Sequence, residues 1–210
     1  GQKIRATLLT LMDAYLDYEL ENEKQALAGL DKLNLKAKML PLERFLVFEL
    51  YQRLLQDKQA NRLLQYYPLM FQEMSLSLEA RLYYAFNYLK LLSQVQTDIS
   101  VRQNSVNEQK AKAGDPLISA LFESEAICLQ MAASKEKAEQ LQIFQQLNKV
   151  LKQNKNNLLV RKAQHTRAIQ VMGDADQFYF MELMSRHWLT VTLVSEIEFY
   201  NTAEQYALIT

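Results

Sequence analysis
The chain has 210 residues, with 24 Lys and Arg against 24 Asp and Glu, so its formal net charge is zero. No global field draws such a chain onto nucleic acid or an anionic membrane, and any contact of that kind requires a local patch. A composition that is 49% hydrophobic, 10% aromatic and 23% charged is that of a folded globular protein and excludes the disordered regime.

Only 4 Gly and 3 Pro punctuate the sequence, and its apolar residues recur at helical spacing. A chain with so few breakers turns at a handful of places, which predicts an all-α fold of long antiparallel helical hairpins, stacked as an array or as a multi-helix bundle. The single cysteine, Cys128, excludes an intrachain disulfide and suits a reducing, cytoplasmic compartment, although a helical secreted domain can also lack cysteine pairs. No apolar run reaches the roughly 20 residues that span a bilayer, since VFELYQRLLQ and HWLTVTLVSEI are both interrupted by charge. The chain opens Gly1-Gln2-Lys3 without an initiator Met or a signal-peptide pattern, which reads as a piece excised from a longer protein.

Ile4, Leu8, Leu11, Met12 and Tyr15 predict a first helix ending near Glu21. Asn22 with Gln25 resembles a capping box for a second helix carrying Ala26, Leu27, Leu30 and Leu33. Pro41 suits the first turn of a third, whose apolar residues wrap most of its circumference and predict burial between neighbours. Asp57 caps a fourth with Ala60, Leu63, Leu64 and Tyr67 on one face, kinked or ended by Pro68. Ser75 or Ser77 starts a fifth through Leu78, Leu82, Ala85, Phe86, Leu89 and Leu92.

From Thr97 to Gly114 the apolar residues thin out, which predicts an exposed polar loop or a loose helix end over 97–114. That segment divides the chain into an N-terminal helical half, 1–96, and a C-terminal half, 115–210, read together as one domain. Asp115-Pro116 restarts a helix with Leu117, Leu121, Cys128 and Met131 near one face. Ser134 caps the next, with Ala138, Leu141, Phe144, Leu147 and Leu151. Another runs from about Asn157 to Met172, stopped by Gly173. Asp174 or Asp176 caps the last, where Phe178, Met181, Met184, Trp188 and Val191 trace one stripe and Leu183, His187, Val194 and Ile197 another. The β-branched run TVTLV favours a strand locally, but alone it has nothing to pair with.

Ala14 with Ala26, and Ala126 with Ala138, are spaced like the small residues of tetratricopeptide hairpins, and Phe122 falls at that family's aromatic position. These two hairpins resemble that family, although its leading Trp, Leu-Gly pair and closing Pro are absent. The resemblance implies a superhelical scaffold with a concave face for a peptide or partner protein.

Two features point to surfaces. Asn87 interrupts ARLYYAFNYLK, and its amide could clamp an extended peptide while Tyr83, Tyr84 and Tyr88 supply apolar contact; the competing reading is an exposed Asn beside core tyrosines. Lys149, Lys152, Lys155, Arg161, Lys162 and Arg167 occupy a window without any acidic residue, suited to an anion, an acidic partner or a nucleic acid strand, or else a solvated face. Nucleic acid is the least expected of these, because no helix-turn-helix or stacking platform accompanies the cations.

Catalytic patterns are absent. His165 and His187 lack the Glu or His spacing of di-iron and zinc sites, no Gly-rich phosphate loop is present, and Cys128 lies on an apolar stripe without a basic neighbour. The sequence therefore predicts a non-enzymatic helical-repeat domain without metal or cofactor that binds a protein or peptide, with a homodimer as one arrangement. The alternative is the ligand- or peptide-sensing domain of a transcriptional regulator whose DNA-binding part lies outside this chain, which rests on fold analogy.

Overall fold
The computed structural model describes residues 2–33, 35, 39–55, 59–182 and 184, and among them there is no strand. Among the described residues ten helices follow in order: α1 (Gln2–Glu19), α2 (Glu23–Asp31), α3 (Pro41–Leu55), α4 (Ala60–Leu64), α5 (Tyr67–Phe71), α6 (Leu78–Val95), α7 (Ile99–Lys112), α8 (Pro116–Ala133), α9 (Lys137–Gln153) and α10 (Leu158–Asp174). The chain is all-α. It divides into two compact units, Gly1–Val95 and Gln96–Thr210, and none of the described helices is long and apolar enough to cross a membrane.

In the first unit α1 and α2 form a hairpin that buries Leu11, Ala14, Ala26 and Leu30. A Cβ on Gly29 would stand 3.3 Å from the Cβ of Ala14, so small residues on both helices set their close approach. The predicted α1 stripe is split: Leu11 is buried, while Leu8 and Met12 face solvent. Asn22 holds the N-cap position of α2, but its side chain makes no capping bond, so the expected capping box is not formed. Glu21 beside it takes the left-handed backbone (φ 62°) that turns the hairpin.

Pro68 neither kinks nor ends a helix. The chain breaks at 65–66 instead, and Pro68 lies in the first turn of α5, where its missing N–H has no partner to lose. Asp57 lies outside the described residues. Ser77 does start α6, its hydroxyl accepting from the Ala80 amide at 3.3 Å. Phe48, wholly buried, meets Tyr67 and Tyr84 edge to face at 5.0 and 5.2 Å, and Tyr88 touches Tyr67 and Phe71 at 6.5 and 5.8 Å. This aromatic cluster is the centre of the first unit's core.

The second unit corrects the predicted 97–114 loop. That segment is helix α7, opened by Asp98, whose carboxylate accepts from the Ser100 amide at 2.8 Å. Hydrogen bonds from the Ser100 hydroxyl and amide hold the Asp98 carboxyl below its usual range. The helix escapes a hydrophobicity reading because its buried residues are Arg102, Val106 and Gln109. Gly114, at φ 64°, makes the left-handed turn into α8.

Helix α8 packs against α7, α9 and α10. Asp115 and Pro116 open it as expected, with the Asp115 carboxylate accepting from the Leu117 and Ile118 amides. Ser134 ends α8 rather than capping α9, whose N-cap is Glu136. Asn157 caps α10, accepting from the Val160 amide at 3.0 Å. The left-handed residue after α10 is Asp176 (φ 55°), and Gly173 remains inside the last helical turn. Of the tetratricopeptide-like positions, Ala14, Ala26, Phe122 and Ala126 are buried and Ala138 is exposed. Helical geometry resumes at 178–182, where Phe178 is exposed and Phe180 is buried, as is Met184. Leu183, His187, Trp188, Val191, Val194, Ile197 and the TVTLV run lie outside the described residues.

Candidate functional site
The four residues of the candidate peptide clamp on α6 are divided between core and surface. Tyr84 and Tyr88 are core residues, whereas Tyr83 is exposed and Asn87 half-buried. The Asn87 amide donates to the Tyr83 carbonyl of its own helix at 2.9 Å, a local back-bond of the kind polar side chains make within helices. Helical phase divides the four residues into two pairs, although the Tyr83 ring meets the Tyr84 ring edge to face at 5.5 Å. Tyr84 and Tyr88 flank the Leu82, Ala85, Leu89 and Leu92 stripe, while Tyr83 and Asn87 share the opposite side with exposed Lys90.

The buried phenols instead carry polar bonds at the core's edge. Tyr84 donates to Glu49 at 2.9 Å, and Tyr51 donates to Asp31 at 2.8 Å; Asp31 also pairs with Arg62, whose guanidinium lies over the Tyr51 ring at 5.4 Å. Burial first, and then the bond to a carboxylate, pushes both hydroxyls well above the ordinary tyrosine range. The folded protein therefore keeps protons that the unfolded chain releases near pH 10, and their stabilising contribution is complete below that pH and lost as pH rises through the folded values. A tyrosinate absorbance titration is expected to show Tyr51 and Tyr84 ionising together with unfolding. Ionisation of every tyrosine near pH 10 with helicity intact would contradict it.

The cation-rich window is also divided. Arg161 and Arg167 are buried, while Lys149, Lys152, Lys155 and Lys162 are exposed. Arg167 makes a bidentate pair with Glu125 of α8, its Nε and Nη2 donating at 3.0 and 2.7 Å, and its Nη1 donates to Gln170 at 2.6 Å. Arg102 of α7 brings Nη2 to 3.8 Å from both Glu125 and Asp174, beyond hydrogen-bond reach. Burial lowers the Arg102 pKa, opposed by the Glu125 charge. One carboxylate thus serves arginines from helices on two sides of α8. The sequence offered no sign of this cluster beyond the polar face of α7, because its members are far apart along the chain.

Cys128, one turn after Glu125, is fully buried, and burial raises its thiol pKa well above the ordinary value, so it packs as a small apolar residue.

The exposed lysines lie on either side of the α9–α10 turn along the chain. Lys149 and Lys152 line a surface depression of about 590 Å³ on α9 with Gln145, Asn148 and Gln153. Lys155 follows in the turn, and Lys162 stands on the first turns of α10, where Leu158 and Leu159 are 50% and 46% exposed. None of these four lysines pairs with a carboxylate among the described residues. Cations flanking open apolar surface can attract a negative group and then retain an apolar one.

No family model, no curated protein and no solved structure matches this chain.

Proposed function
We propose that the chain is a non-enzymatic helical domain that binds a partner protein through the lysine-leucine corner at the α9–α10 turn, and that the partner segment is acidic with interspersed apolar residues. The observation that supports this reading is the set of four exposed lysines, Lys149, Lys152, Lys155 and Lys162, that flank exposed Leu158 and Leu159 along the chain. Charge brings the partner in and fixes its polarity; the leucines supply the part that salt does not screen. Burying the open half of each leucine is worth about 1 kcal/mol, or about fivefold in affinity.

A labelled peptide built from alternating Glu and Leu pairs tests the surface, with its Lys and Leu counterpart as control. Lys152→Glu/Lys155→Glu is expected to weaken the acidic peptide's binding about tenfold or more, and Leu158→Ser/Leu159→Ser also by about tenfold or more. Equal binding by the lysine variant removes the corner from the site. A leucine variant that binds as well as wild type reduces the contact to bare ionic attraction and overturns the reading. Preference for vesicles of phosphatidylserine over the peptide replaces the protein partner with a membrane surface.

A further inference from the structure
A net charge of zero conceals a segregation of sign. Residues 6–21 hold Asp13, Asp17, Glu19 and Glu21 with no Lys or Arg, after Lys3 and Arg5 in the first turns of the same helix, whereas residues 140–173 hold six Lys and Arg with no Asp or Glu. The acidic window lies on α1 and the turn after it, where the structure leaves Leu8, Leu9, Met12, Leu16 and Leu20 between 45% and 61% exposed. These five fall within about a third of the helix circumference and extend about 18 Å along its axis. The face that builds the hairpin with α2 is a different one, carrying Leu11 and Ala14. Glu19 lies inside the open stripe and Asp13 along its edge. Contiguous open apolar surface of this kind marks an interaction site on a soluble protein.

We propose that this face of α1 docks on the lysine-leucine corner of a second copy of the chain. The inference rests on the partner-binding reading above and names the partner. From residue 6 onward the α1 face is opposite in charge to the corner and like it carries open leucines, so an acidic segment with apolar residues of the kind that the corner suits is present in the chain itself. Zero net charge leaves no long-range repulsion between copies. The contact joins two different patches and is therefore heterologous, building a ring or a longer chain unless two such contacts close a pair.

Charge exchange on the full chain tests it. The corner variant is Lys152→Glu/Lys155→Glu/Lys162→Glu, and the α1 variant is Asp13→Lys/Asp17→Lys/Glu19→Lys; each is followed by light scattering and sedimentation at about 0.1 M and about 0.5 M salt. The wild type is expected to associate with rising concentration and less so at the higher salt. Each variant alone carries two surfaces of one sign, so its dissociation constant rises about tenfold or more. Mixing the two variants restores association, because each surface then finds its opposite. A wild type that stays monomeric, a mixture that stays monomeric, or a corner variant that associates like wild type overturns the proposal, the last by pointing to an α1-to-α1 contact. Acidic-peptide binding by a monomeric wild type leaves the partner-binding reading standing while removing the second copy; failure of both measurements removes both. Should a triple variant lose helix content by circular dichroism, Lys155→Glu and Asp13→Lys alone are read by the same outcomes.

Discussion
Glu125→Leu is expected to destabilise the protein by about 3–5 kcal/mol, measured by urea denaturation followed by circular dichroism. Glu125 is 2% exposed and is the buried carboxylate that bonds Arg167 and faces Arg102 at 3.8 Å, so its removal leaves guanidinium charge in the core without a buried opposing one. Asp174 cannot substitute for it. That carboxylate is half exposed and only approaches Arg102 at 3.8 Å, so Asp174→Asn is expected to change stability by less than about 1 kcal/mol. Exchange of Glu125, Arg102 and Arg167 together for apolar residues of similar volume should recover most of the loss, because a desolvated ion pair gains little over good packing. A loss below about 1 kcal/mol for Glu125→Leu would show that the arginines find other partners or water.

Phe48→Ala is the second large expected effect, again about 3–5 kcal/mol. The ring is wholly buried and stands edge to face against Tyr67 and Tyr84, so truncation opens a cavity among aromatic neighbours that are themselves packed against Tyr88 and Phe71. Phe48→Leu should cost less, since it fills more of the volume and forfeits chiefly the edge-to-face contacts. Thermal melts of the two variants separate these terms. Equal losses would mean that aromatic geometry, and not volume, dominates the site.

Elements with a chemical start signal were legible in the sequence: Pro41, Ser77, Asp115-Pro116 and Asn157 each stand at the helix start assigned to them. What failed was reading a helix through its hydrophobicity. Helix α7 turns Arg102 and Gln109 inward, so its buried face looks solvent-exposed in the sequence. The stripe on α1 erred in the opposite direction, since apolar periodicity says where residues align and not whether a neighbour covers them. Asn22 and Ser134 are good capping residue types in positions where no capping bond to the following helix forms. For the candidate surface, the acid-free window was visible as composition. The division between buried Arg161 and Arg167 and the exposed lysines depended on α8, whose Glu125 lies 42 residues before Arg167.

The arrangement of helices in the second unit also bears on how fast it forms. Helices α7 and α8, and then α8 and α9, are neighbours both along the chain and in space, so their contacts close short loops and are expected early. The pairing of α8 with α10 must bridge the whole of α9, and the Glu125–Arg167 bonds span a separation of 42 residues. Loop closure of that length comes after the local hairpins. The Glu125–Arg167 bonds are thus expected to be absent from the folding transition state, and their loss on replacing Arg167 should appear as faster unfolding with the refolding rate nearly unchanged. The Glu125–Arg167 pair then acts as a latch on the lifetime of the folded unit.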